Sequence, residues 1–290
     1  MRETRWSDVQ DWMNSLAQLR ATSTCQSPGF FKPYHFVTLA LMLKEVGAEH
    51  LRLPEEVVRY AARMRLWEAI GLEAPYVVQG NASGSRFHEL TRLTDLGAVE
   101  GVASALAHMV LANVGKPCSK ETADSLYITL TELLGNCHHH ARTSDDLHGL
   151  VCGQSWYQGK RAQFAIADPG IGIRRSLEEN PDLEKRLAKN NACELAMRLG
   201  ISSKLHRGHS GYGLTVARDL TKQTNGALLV LQSGNEAVVV QNGTVTAHSG
   251  IKDPLPGTLV VFEWNMSTPL DIAPVYASWS EAEGTGNDFF

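Results

Sequence analysis

Three short groups of residues in this sequence have types and spacings suited to handling a phosphorylated ligand. Glu132 and Asn136 stand four apart in a run of helix-forming residues, so a helix would align a carboxylate and an amide oxygen on one face. Such a pair can order a water and a magnesium ion beside a triphosphate. Asp168, Gly170 and Gly172 follow an apolar stretch as D-x-G-x-G. A carboxylate at a strand end can accept from an exocyclic amine such as that of adenine, and glycines behind it let the backbone approach a flat base. Gly208, Gly211, Tyr212, Gly213 and Leu214 lead into a third amphipathic run. Glycines at a helix N-terminus leave backbone N–H groups free at the positive end of the dipole, which attracts anions. Neither a P-loop nor a dinucleotide-binding fingerprint is present.

Each group has a plain alternative: a solvated helix face, an Asp-Pro-Gly turn, a glycine-rich surface loop. Their order narrows the choice. Glu132 to Ala141, Asp168 to Gly172 and Gly208 to Leu214 resemble the N, G1 and G2 boxes of the GHKL superfamily, which includes histidine kinases, anti-sigma-factor kinases, gyrase, Hsp90 and MutL. Gly257 and Thr258 open a strand similar to that family's closing G-T strand. The resemblance spans about residues 95 to 265. It implies an α/β (α+β) fold, a Bergerat sandwich of mixed sheet and helices, with ATP and magnesium as ligands. It further implies that Asn136 holds magnesium, Asp168 reads adenine, and Gly170 and Gly172 border the base. Gly208, Gly211, Tyr212, Gly213 and the Leu214 N–H would then serve the phosphates, with Thr258 near the aspartate.

Glu132 falls where gyrase-like and anti-sigma kinase members place their general base. The form Asn136 to His140 and Ala141 is closest to the anti-sigma kinases, although Cys137 replaces a small alanine and His139 replaces a frequent lysine or arginine. Lys204, His206 or Arg207 could supply the phosphate-side cation. The implied function is an ATP/Mg-dependent protein kinase of anti-sigma type, or an ATPase switch, controlling a protein partner. The alternative is a non-enzymatic ATP sensor that gates such a partner. A DNA machine ranks last, because no transducer domain follows the closing strand. The partner could be STAS-like or a transcription regulator, and a homodimer stays open.

Three adjacent histidines, His138 to His140, cannot converge on one metal ion from a helix, since successive residues point about 100° apart. His88, in Phe87 to Thr91, lacks the arginine and proline of a histidine-kinase phosphoacceptor box and reads as a helix surface residue.

These groups need elements to position them. Hydrophobic spacing predicts helices over Ser7–Ala21, Tyr34–Val46 ending at Gly47, Pro54 to Ile70, Ser119 to Ala141, and Gly213 to Thr224. Residues 88 to 114 read as connecting helices, 174 to 207 as charged and mostly helical, and 174 to 210 as a mobile lid ordered by the γ-phosphate. Strands are expected at His50 to Leu53, Gly149 to Gln158, Gln163 to Ala167, Ala227 to Gln232, Ala237 to Gln241 and Thr258 to Trp264. Residues 1–90 would form a small α/β unit resembling a STAS domain, without the phosphorylatable serine at Lys32 to His35, or an unrelated α/β cap. Residues 91–270 would be the ATP-binding domain and 271–290 a flexible acidic tail.

Composition agrees with such a protein. A hydrophobic share of 43% and a charged share of 20% allow a real core. A formal charge of −4 gives no basic field for nucleic acid. Five scattered cysteines make neither a disulfide framework nor a zinc site. With no signal-like start and no apolar run long enough for a bilayer, the expectation is a cytoplasmic protein.

Overall fold

The computed structural model describes residues 2–24, 26–47, 53–75, 86–114, 118–140, 146–202 and 212–285. One sheet organises everything else. Its strands are β1 (Phe87–Leu93), β2 (Gly149–Trp156), β3 (Arg161–Asp168), β4 (Leu228–Gly234), β5 (Glu236–Gln241), β6 (Thr244–Ser249) and β7 (Leu255–Asn265). They lie in the order β1-β2-β3-β7-β4-β5-β6. Every neighbouring pair is antiparallel, where a mixed sheet was expected. The helical crossover from β3 to β4 looks in sequence like a parallel βαβ unit. In the fold β7 enters between those two strands and runs against both.

The sheet is covered on both faces, so its strands read as near-continuous apolar runs. On one face lie α5 (Leu96–Leu111), α6 (Lys120–His140) and α10 (Gly213–Gln223). Their apolar stripes, with Leu106, Leu130, Leu134 and Leu220, meet Phe164, Ile166, Leu229 and Phe262. Asp95 caps α5 by accepting from the Ala98 N–H at 2.9 Å, and Ser119 caps α6 through the Thr122 N–H at 3.2 Å.

The opposite face carries α1 (Trp6–Thr22), α2 (Pro33–Val46), α3 (Glu55–Arg63) and α4 (Leu66–Ala69). Among the described residues this N-terminal part contributes these helices and no strand before β1. The strand expected at His50 to Leu53 lies mostly outside the described residues. These helices share one apolar core with Ala165, Val230, Leu259 and Val261 of the sheet, where a unit with its own sheet was expected. A buried polar network fastens the layer. Glu263 of β7, fully buried, accepts from the Thr4 N–H at 3.0 Å, from the Thr4 hydroxyl and from Gln163 Nε2 at 2.8 Å. Lys32 Nζ lies 3.8 Å from the same carboxylate.

Three further expectations are corrected. Residues 87–93 are a strand, not a connecting helix. Leu90 and Leu93 sit three apart because each packs into a different layer, with a β-bulge between His88 and Thr91. That spacing imitates a helix. His88 therefore lies on an edge strand. Strand β6 escaped notice because its side chains are mostly exposed and polar. Asn242 and Gly243, both with positive φ, were the hairpin signal that marks it. Residues expected in a loose tail form α11 (Ala273–Thr285). Val275 is buried, Trp279 Nε1 donates to Asp219 Oδ2 at 3.1 Å, and the Ile272 N–H donates to Ser125 Oγ at 3.0 Å.

Candidate nucleotide site

Helix α6 presents Glu132 and Asn136 to the start of α10. A methyl group placed on Gly213 would lie 2.7 Å from Glu132 Oε2 and 3.3 Å from Asn136 Nδ2. Only a glycine lets this backbone approach so closely. Among the described residues no side chain caps α10 at Tyr212, and a helix N-terminus, the positive end of the dipole, attracts anions. Asn136 Nδ2 is buried without a hydrogen-bond partner, which suits an amide whose partner is a ligand.

Asp168 ends β3 and pairs in register with Thr258 of β7. Its Oδ1 accepts from the Gly170 N–H at 2.8 Å. Gly170 thus braces the carboxylate. Gly257 has φ of +78°, and a methyl there would sit 1.8 Å from the Asp168 carbonyl oxygen. Gly172, at φ of +80°, packs against Ser233, whose hydroxyl would lie 2.8 Å from an added methyl.

These elements enclose one cavity of about 420 Å³, lined by Glu132, Asn136, Asp168, Gly172, Tyr212, Gly213, Leu214 and Thr258 together. Leu231 and Val260 of the sheet also line it. That volume and this mix of apolar floor with a few convergent polar groups are those of a small-ligand site. The His140 side chain, Lys204, Gly208 and Gly211 lie outside the described residues.

Residues 94–236 match the family model of the histidine kinase-like ATPase domain. The match supports a GHKL-like superfamily assignment for this segment, and a domain of that kind implies ATP binding. No curated protein gives a significant match to the chain. The matched span covers α5, α6, β2, β3, α10 and β4, and ends as β5 begins. Gly257 and Thr258 of β7, and α11, lie beyond it.

The donor set of the cavity suits a nucleotide: a buried carboxylate near an apolar floor at one end, and an amide, a carboxylate and the start of α10 at the other. Burial pushes the Asp168 carboxyl up to about 7, against the pull of hydrogen bonds from the Gly170 N–H and the Thr258 side chain. Burial also raises Glu132 above its ordinary value.

Sequence reasoning missed Ser233. Its hydroxyl donates to the Gly257 carbonyl at 2.8 Å and accepts from the Ile173 N–H at 2.9 Å. It joins the loop after Asp168 to the glycine that must pack beneath that loop. In sequence Ser233 and Gly234 read only as a turn, and no local signal brings Ser233 opposite Thr258.

The segment expected to be a mobile lid is largely a packed wall. Helices α7 (Ile173–Glu178), α8 (Glu184–Leu187) and α9 (Ala192–Ala196) gather Leu177, Leu183, Leu187, Leu195 and Ile201 into a small core of their own. The remainder of the expected lid, residues 203–210, lies outside the described residues.

Proposed function

We propose that this protein binds ATP with magnesium in the cavity between α6, α10, β3 and β7, and that it transfers the γ-phosphoryl group, as a kinase of anti-sigma type or as an ATPase switch, to control a protein partner. The observation that carries this reading is the contact of Glu132 and Asn136 with Gly213. It puts a carboxylate, an amide and the backbone at the start of α10 side by side, across a cavity from the Asp168 carboxylate.

In this reading the ionised Asp168 accepts from the adenine amine, and Thr258 steadies it. The N–H groups at the start of α10 bind phosphate oxygens, aided by the helix dipole. Asn136 would hold magnesium, which neutralises charge on the phosphates. Glu132 takes the proton from the attacking oxygen. A carboxyl raised by burial is a better proton acceptor than an exposed one at neutral pH. The attacking group is a serine or threonine hydroxyl of the partner in a kinase of anti-sigma type, and water in an ATPase switch. The motif form from Asn136 to His140 and Ala141 favours the first, with a STAS-like protein or a transcription regulator as partner. Among the described residues no helix is long and apolar enough to cross a membrane, and Cys118, Cys137, Cys152 and Cys193 are free thiols, as a cytoplasmic protein would have.

The test is to incubate the purified protein with γ-labelled ATP and magnesium, alone and with candidate partners, and to follow the label. Label on the partner identifies a kinase, and free phosphate identifies an ATPase. Bound ATP that is never turned over under either condition would refute phosphoryl transfer and leave an ATP sensor.

A further inference from the structure

One wall of the nucleotide cavity is made from pieces too short to hold themselves. Helices α7, α8 and α9 have six, four and five residues, far below the length at which an isolated helix is stable. Yet Ile173, Ser176, Leu177, Ala196 and Ile201 from this region all line the cavity. Their own small core holds the pieces to one another. Something else must hold the group to the sheet.

Two side chains make much of that attachment. Arg174, in the first turn of α7, donates from Nε to Glu236 Oε2 at 2.9 Å and from Nη2 to Glu236 Oε1 at 2.7 Å. This is the bidentate fork that makes arginine–carboxylate pairs directional. The same guanidinium donates from Nη1 to the Leu187 carbonyl at 3.1 Å and from Nη2 to the Asn190 carbonyl at 3.1 Å. Glu236 is the first residue of β5 and is buried. Its Oε1 also accepts from the Ala192 N–H at 3.1 Å, at the start of α9, and its carbonyl accepts from Cys193 Sγ at 3.4 Å. One ion pair therefore cross-links α7, the end of α8, the start of α9 and the sheet. Arg174 stands only two residues after Gly172, so the same pair fixes the exit of the loop that begins at Asp168.

We propose that Arg174 and Glu236 are positioning residues for the nucleotide, holding the α7–α9 wall where it closes on the base end of the ligand. The inference rests on the reading of the cavity as an ATP site. Neither residue lines the cavity, so neither touches the ligand or the reacting atoms. Weakening the pair lets the wall shift on its own small core while the sheet and α6 stay in place. The loss then falls on binding of the nucleoside part and spares the chemical step at Glu132.

The experiment compares wild type, Arg174→Lys, Glu236→Gln and the double variant of the full chain. Calorimetry measures ADP and adenosine binding, steady-state kinetics separates KM from kcat, and thermal melting confirms that each variant is folded at the assay temperature. Each single change should weaken ADP and adenosine by a similar factor, roughly tenfold for a lost bidentate charged pair, and raise KM without lowering kcat. The double variant should lose no more than the worse single one, because both remove the same link. Hydrogen exchange should quicken in 173–202 and stay unchanged in β3 and β7. Should Glu236→Gln not fold, Arg174→Lys carries the comparison alone. Wild-type ADP affinity in the folded variants, or a loss confined to kcat, overturns the positioning role. A wild-type protein that binds neither ADP nor adenosine overturns instead the ATP-site reading on which it rests.

Discussion

If Asp168 reads the adenine as proposed, nucleotide affinity should depend on pH near neutrality. Its carboxyl is held at about 7 by burial, compared with an ordinary value of 3.8. Ionised, it offers the adenine amine a charge-assisted acceptor; protonated, it offers only a neutral carbonyl oxygen and an unwanted donor. If the ionised form is the one that binds, apparent affinity follows its population. That population is about one tenth at pH 6 and about nine tenths at pH 8. Affinity should therefore rise roughly tenfold over that interval, equivalent to about 1.4 kcal/mol. Folding stability responds in the opposite direction. A carboxyl raised in the folded state favours folding fully below its unfolded value of 3.8, and that contribution is lost as pH rises through about 7. The assay is calorimetry with ADP in excess magnesium, in two buffers of different ionisation enthalpy, so that proton release on binding at about pH 6 is read directly. Asp168→Asn should bind weakly, by on the order of 1.5–3 kcal/mol, and should lose the pH dependence attributable to this site. Wild-type affinity that is flat between about pH 6 and 8, or an Asn variant with the same slope as wild type, would refute the reasoning.

Other perturbations separate chemistry, backbone fit and packing. Glu132→Ala should keep nucleotide binding but lose turnover by a factor of roughly 100 to 10,000; full turnover with label still transferred would remove its assignment as base. Asn136→Ala should weaken binding only when magnesium is present, and an equal loss without the metal would count against a metal ligand. Gly257→Ala must move the Asp168 carbonyl and strain a positive φ, costing about 2–4 kcal/mol in urea unfolding; a change below about 0.5 kcal/mol would contradict the close packing. Glu263→Ala leaves Lys32 and the Thr4 N–H without their buried partner, so unfolding free energy should fall by about 3–5 kcal/mol. A near-neutral result there would show that the N-terminal layer is held by its apolar contacts alone.

The three motif-bearing groups were legible in the sequence because each is local chemistry. A glycine at a helix start, a carboxylate at a strand end and an i, i+4 pair are set by a few neighbouring residues, and helices α1, α2, α6 and α10 followed from hydrophobic spacing within one element. What sequence alone left open was pairing over long range. Ser233 becomes part of the site only because β4 lies beside β7 and brings it opposite Thr258. Arg174 meets Glu236 62 positions away, and nothing in either neighbourhood marks the other. The sheet's two covered faces also misled the reading of residues 87–93, since Leu90 and Leu93 serve separate cores, and α11 depends on anchors in α6 and α10 that composition cannot register. Sequence determined which residues could act on a phosphorylated ligand, because that depends on side-chain type and spacing along one element. Tertiary structure decided how Glu132, Asn136 and Asp168 come to share one cavity, because their approach is fixed by strand order and by glycines whose missing side chains leave room for other parts of the chain.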